Sequence, residues 1–293
     1  MEITPQRGRG LSRLLSALVL CAAPALAADL ERTGGPYVPT PQAVVDHMLR
    51  MANVNNRDYI IDLGSGDGVI VLTAARQYKA SGMGVDIDPD LVKLSNEKAV
   101  KLDVADRVRF AQQDVFKTDL SKATVVTLYL LPGMMMNLRT KIFNELKPGV
   151  RVVSHDYHFG DWVSDDHVSF DVPEKEAITG VPAATVHLWH VPAKIAGTWE
   201  VKIAGGETYE LALKQRFQTL EGTASGAGKP IKPQYLALRG NDLTFALPGA
   251  RGLARFSGKV KGNDIEGTVE FPAGRGAQPW TAVRTATAKV VTE

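Results

Sequence analysis

The chain has 293 residues, 44% hydrophobic and 23% charged, an ordinary globular composition with enough apolar material for two modest domains. Its formal net charge is +2, and setting aside the first 27 residues leaves 31 basic against 31 acidic side chains. That balance argues against nucleic acid as a partner. The single cysteine, Cys21, lies inside those first residues, so the remainder has no disulfide, no thiolate nucleophile and no cysteine metal site.

The chain opens with Arg7, Arg9 and Arg13 ahead of the apolar run Leu14 to Leu20, followed by the small-x-small triplet Ala25-Leu26-Ala27. Basic flank, short apolar core and small residues read as a secretory signal peptide over residues 1–27, which predicts a periplasmic or secreted protein. The apolar run is shorter than the roughly 20 residues a membrane span needs, and a retained leader would leave the protein membrane-anchored. Leu20 before Cys21 speaks against lipidation.

After the leader a Gly-Gly-Pro loop reaches Pro36, and Thr40 with Pro41 reads as the start of a helix carrying Val44, Val45, Met48 and Leu49 at helical spacing. Strands and helices then alternate: strand 59–63, helix 69–79, strand 82–87, helix 90–102, strands 106–111 and 124–130, helix 134–146, strand 150–155, and two apolar runs near 167–172 and 184–191 for the remaining strands. Alternation of this kind predicts a parallel sheet covered by helices on both faces, closed by Pro192. The methionines Met134, Met135 and Met136 read as adaptable core or pocket filler. From residue 195 the pattern changes to short β-rich runs separated by turns such as Ala204-Gly205-Gly206, Gly240-Asn241-Asp242 and Gly262-Asn263-Asp264. These predict a small antiparallel barrel or sandwich over 195–293, without a catalytic pair or triad, that binds a partner or packs on the preceding domain.

The densest chemical signal is Asp62-Leu63-Gly64-Ser65-Gly66-Asp67-Gly68, entered through Tyr59-Ile60-Ile61. A strand, a glycine turn and a helix start there bring backbone N–H groups close to a ligand. The alternating glycines depart from the G-x-G-x-x-G dinucleotide fingerprint, and the acid at Asp62 would repel a pyrophosphate but suit an ammonium or sulfonium. Asp86, about 24 residues further on at the end of the second strand, has the spacing of a ribose ligand. Asp114 follows the third strand.

This set resembles motif I and the following acids of the class I S-adenosylmethionine methyltransferases. Three segments narrow the resemblance: Pro36-Tyr37-Val38-Pro39-Thr40-Pro41, the turn Tyr129-Leu130-Leu131-Pro132-Gly133-Met134-Met135, and Val153 to Trp162. Together they are similar, over residues 36–165, to the lysine methyltransferases of the adenine nucleotide translocase and of the c-type ring protein of ATP synthase, and to their prokaryotic relatives. The resemblance implies a Rossmann-like seven-stranded sheet over 28–194 and S-adenosylmethionine as cofactor. It implies a donor site made of Tyr37, Asp62, Gly64, Ser65, Gly66, Asp67, Gly68, Asp86, Ile87, Asp114, Val115 and Tyr129, with Asp114 toward the adenine amino group.

The expected acceptor is a lysine of a protein, with a membrane protein among the candidates. Tyr129 and Trp162 would wall its aliphatic stem and favour a cation by cation–π contact, and Asp156 would orient or deprotonate the amine. Two other readings compete with it. One is an exported nucleoside-binding protein without turnover. The other is a small-molecule O-methyltransferase assisted by a metal held among His155, Asp156, His158, Asp161, Asp165, Asp166 and His167. His187 and His190, three apart on a predicted strand, face opposite sides and cannot chelate together.

Overall fold

The computed structural model describes Met1 and residues 36–249, 252–272 and 276–292. The leader assigned to residues 1–27 lies outside the described residues. Among the described residues no helix is long and apolar enough to cross a membrane.

Helix α1 (Gln42–Met51) buries Val44, Val45, Met48 and Leu49. It starts one residue later than the sequence suggests, and Thr40 is not its cap. Pro41 takes that place in extended conformation, its carbonyl accepting the N–H groups of Val44 and Val45 at 3.0 and 3.1 Å.

The α/β part then runs β1 (Tyr59–Leu63), α2 (Val69–Tyr78), β2 (Ser81–Asp86), α3 (Pro89–Lys101), β3 (Val108–Gln112), β4 (Val125–Leu128), α4 (Pro132–Glu145), β5 (Arg151–His155), β6 (Asp166–Asp171), α5 (Pro173–Thr179) and β7 (Ala183–His190). The strands form one sheet in the order β3-β2-β1-β4-β5-β7-β6. The first five are parallel neighbours, whereas β7 runs antiparallel between β5 and β6 because a short connection joins it to β6. Strand order reverses between β1 and β4, so the crevice at their carboxyl ends is where such a sheet binds ligands.

Alternate residues of the central strands feed two apolar layers. Ile60 and Val125 join α1 and α2 on one face, while Ile61 and Val126 join Leu138, Ile142 and Phe143 of α4 on the other. The period-two alternation produces a sheet buried on both sides.

A second sheet contains β8 (Gly197–Ile203), β9 (Thr208–Arg216), β10 (Thr219–Gly226), β11 (Lys229–Ile231), β12 (Gln234–Arg239), β13 (Asp242–Gly249), β14 (Gly252–Lys261), β15 (Asp264–Glu270) and β16 (Ala277–Thr287). All its pairs are antiparallel, in the order β11-β10-β9-β8-β16-β15-β14-β13-β12. It curls until Leu236 of β12 lies against Gly222 of β10, enclosing a core that includes Trp199, Phe245, Phe256 and Trp280. Strand β10 is invisible to the sequence patterns because its Gly222, Ser225 and Gly226 dilute the alternation that marks a strand.

Both sheets belong to one compact unit. Phe217, in the turn between β9 and β10, is 1% exposed and stacks on Trp162 with ring centroids 5.3 Å apart, meeting Phe143 of α4 edge-on at 5.4 Å. The buried Gln215 pins the connecting segment: its amide oxygen accepts the N–H groups of Ile195 and Ala196 at 2.7 and 3.2 Å, and its amide nitrogen donates to the Ala193 and Phe217 carbonyls. All four hydrogen-bonding positions of that side chain are filled, so a satisfied polar clamp ties the connecting segment to β9 while the aromatic plug joins the two sheets.

Candidate active site

The turn after β1 is shaped by Gly64, Gly66 and Gly68, with φ of +78°, +52° and +81°. Only glycine takes these values without strain, and each position also lacks room for a side chain. A Cβ on Gly66 would lie 2.5 Å from the Tyr37 ring, one on Gly64 would lie 2.6 Å from Leu130, and one on Gly68 would meet Phe110 at 2.7 Å. The three glycines therefore have different jobs. Gly66 and Gly64 let Tyr37 and Leu130 close over the turn, whereas Gly68 lets α2 pack on β3.

Asp86 faces the turn. Its carboxylate accepts the Gly66 N–H at 2.8 Å and the Asp88 N–H at 3.0 Å, which fixes both oxygens at the carboxyl edge of β2. Ile87 follows it, half-buried. Asp67 is held by Lys98 at 2.6 Å, and Tyr37 sits beside it, burial and the neighbouring Asp67 charge raising its phenol well above the usual value. Asp114 caps the short turn Val115–Lys117 by accepting the Phe116 N–H at 2.9 Å, with Val115 buried beneath it.

Two expected donor residues occupy other roles. The Ser65 side chain packs against Gly84 of β2, underneath the turn, because the missing Cβ there leaves it a niche; only the Ser65 backbone belongs to the bend. Asp62 is 2% exposed and accepts a hydrogen bond from Thr127 at 2.7 Å on the adjacent β4. Burial pushes its carboxyl up to about 7, with Asp86 and Asp67 adding to the rise and Thr127 opposing it. Glycine turn, fixed Asp86 and neighbouring acids make a hollow whose chemistry suits a cationic nucleoside such as S-adenosylmethionine.

At the ends of β4 and β5 the site is built from side chains. Tyr129 stacks on His155 at 4.0 Å and lies 6.3 Å from Tyr157. Burial, aided by the Asp156 charge, pushes the Tyr129 phenol up to about 12. His155 is 1% exposed with neither ring nitrogen hydrogen-bonded, and burial holds it below the usual histidine range and hence neutral. Asp156 adopts φ +61° and is locked by Thr185 of β7, its N–H donating to the Thr185 carbonyl at 2.6 Å and its carboxylate accepting the Thr185 N–H at 3.0 Å. Its other oxygen meets the Lys175 ammonium at 2.7 Å. Nothing in the sequence spacing links Asp156 to Lys175; the pair exists because the connection between β6 and β7 returns to the carboxyl edge of the sheet.

Trp162 does not join this group. It is 1% exposed, stacked between Phe159 and Phe217 at 5.3 Å from each, with Trp189 donating its indole N–H to the Trp162 carbonyl. A ring enclosed on both faces packs the two sheets together and cannot wall an acceptor.

The polar run from His155 to His167 divides among different partners, although His158, Asp165, Asp166 and His167 line one hollow with His187. Asp161 is shared by Arg139 and Arg216, Asp165 pairs with His190 at 3.2 Å, and Asp156 with Lys175. His158 and His167 each approach His187 with ring centroids 5.9 Å apart. Among the described residues no group of three or more His, Cys, Asp or Glu is arranged to hold a metal ion. His187 and His190 have different partners, as their odd spacing requires.

Comparison with known proteins adds an independent line. Residues 62–166 match the ANTKMT methyltransferase domain. The chain is 41% identical over 128 residues to a protein-lysine N-methyltransferase of Saccharolobus islandicus (strain REY15A), covering 43% of this chain and 80% of that protein. It is 32% identical over 127 residues to the adenine nucleotide translocase lysine N-methyltransferase of Mus musculus, covering 43% of this chain and 55% of that one. Among solved structures, an RNA methyltransferase from Salinibacter ruber in complex with S-adenosyl-L-homocysteine is 48% identical, covering 54% of this chain and 96% of that chain, with a TM-score of 0.49.

Proposed function

The chain belongs to the ANTKMT-type family of S-adenosylmethionine-dependent methyltransferases, and from that premise we propose that its acceptor is a lysine side chain of a protein. The observation that carries the proposal is the pairing of a fixed carboxylate, Asp156, with a lysine ammonium at 2.7 Å beside Tyr129, at the strand ends next to the glycine turn. The two lysine methyltransferases named above act on protein lysines, which agrees with it.

Bound in the turn, S-adenosylmethionine supplies an electrophilic methyl group. The chain supplies orientation. Asp86 and the glycine turn hold the donor across the ends of β1 and β2, and Tyr129 closes the space between β4 and β5. Asp156 would hold the acceptor nitrogen and take its excess proton, since an in-line displacement requires a neutral amine about 3–3.5 Å from the methyl carbon. Little further acid–base equipment is needed.

We extend the proposal to place and partner. The leader-like residues 1–27 support export, and the exposed Leu131, Met136 and Val163 support an apolar, membrane-associated acceptor. N-terminal sequencing of the protein recovered from cells tests the first, with a start at Ala28 expected and an intact Met1 contrary. For the acceptor, incubation with methyl-labelled donor and a cell-envelope extract should put label on lysine Nζ by mass spectrometry. Label in RNA alone would overturn the lysine reading.

A further inference from the structure

The Asp156–Lys175 pair has a feature that its surroundings do not require. Lys175 belongs to α5, which joins β6 to β7 and so lies at the same carboxyl edge as the ends of β4 and β5. Although α5 is otherwise largely exposed, with Glu174 and Glu176 open to solvent, the Lys175 side chain is turned inward and is 7% exposed. Its ammonium reaches the Asp156 carboxylate at 2.7 Å and donates to the Ala183 carbonyl. A lysine is among the residues least often buried, and it tolerates burial only where its charge is met.

Strand order locates this ammonium relative to the donor. The groups suited to the donor sit on the ends of β3, β2 and β1, and the next positions, about 5 Å apart per strand, are the ends of β4 and β5. Those positions hold Tyr129 and Asp156. A lysine ammonium is therefore already present where the proposed reaction needs one. Beneath it lies neutral His155, whose Nε2 is 3.5 Å from the Asp156 carboxylate without forming a hydrogen bond, so His155 does not compete as a cation for that carboxylate from below.

We propose that Lys175 is an internal surrogate of the acceptor: its ammonium fills the acceptor's cation site on Asp156, and an incoming lysine must displace it, with α5 moving aside. The inference rests on the lysine reading given above. It makes α5 a gate whose closed state is an ion pair, and it makes acceptor affinity the difference between two lysines competing for one carboxylate. An acceptor that brings no lysine gains nothing from opening it.

The test compares wild type, Lys175→Met and Lys175→Arg with poly-L-lysine as acceptor and S-adenosylmethionine as donor. Donor affinity by calorimetry and the melting midpoint serve as controls for folding. Removing the competing charge in Lys175→Met should lower KM for poly-L-lysine by about tenfold with donor affinity unchanged, whereas Lys175→Arg, which keeps the cation, should stay within about threefold of wild type. An active wild type with unchanged or raised KM in Lys175→Met would overturn the inference and leave the lysine reading standing. Should wild type and both variants bind donor yet methylate no lysine, the lysine reading and this inference fall together.

Discussion

The two ends of the ligand crevice are built from different materials. On the side of β1, β2 and β3 the backbone does the shaping: three glycines at positive φ, and Asp86 held by two backbone N–H groups. On the side of β4, β5 and β6 side chains do it, through Tyr129 on His155 and Asp156 on Lys175, with the second sheet bracing the loop that follows. A backbone-built cradle suits a ligand that never changes. A side-chain-built pocket can be re-cut for another acceptor while the donor half stays as it is.

The largest expected effect falls on the aromatic brace behind the acceptor half. Phe217→Ala empties an enclosed aromatic site between Trp162 and Phe143 and should cost about 3–5 kcal/mol of stability in denaturant titration. At a temperature where the variant is still folded, donor affinity should remain near wild type, because Phe217 touches none of the donor residues. Gly66→Val does the reverse. Its Cβ would lie 2.5 Å from the Tyr37 ring at a φ that valine resists, so donor affinity should fall at least a hundredfold, about 3 kcal/mol, while the circular-dichroism spectrum is retained. A smaller loss, about tenfold in donor Kd by calorimetry, is expected for Asp86→Asn, which keeps the side-chain shape but removes the charge beside the glycine turn.

The mildest difference is in pH response. His155 is held neutral by burial, so the unfolded chain, titrating near 6.5, binds a proton that the fold refuses until about 4. Its contribution to stability is full above 6.5 and is lost as pH falls from there to about 4. Asp62 acts in the opposite sense. With its carboxyl raised from 3.8 to about 7, its contribution is full below 3.8 and is lost as pH rises from there through 7. His155→Phe should therefore flatten the acid decline in melting midpoint, and Asp62→Asn should steepen it.

The same contrast of materials explains what could be read without coordinates. The glycine turn, Asp86 and the order of the first five strands are local matters of backbone geometry and period-two alternation, and they stand in the structure within a few residues of where the pattern puts them. Helix α5 was not legible, being only seven residues long and starting at a proline after a strand. The partnership of Asp156 with Lys175, and the burial of Trp162 under Phe217, depend on contacts between distant segments that no spacing encodes. Ser65 shows the limit within the motif itself: membership of a glycine turn does not say which side chains face the crevice and which pack beneath it.

The most direct test of the account is isotope transfer. Purified protein incubated with S-adenosylmethionine labelled in its methyl group and with poly-L-lysine should yield labelled methyl on lysine Nζ, and Gly66→Val should abolish it. Donor bound at the glycine turn in wild type with no label on lysine would contradict it.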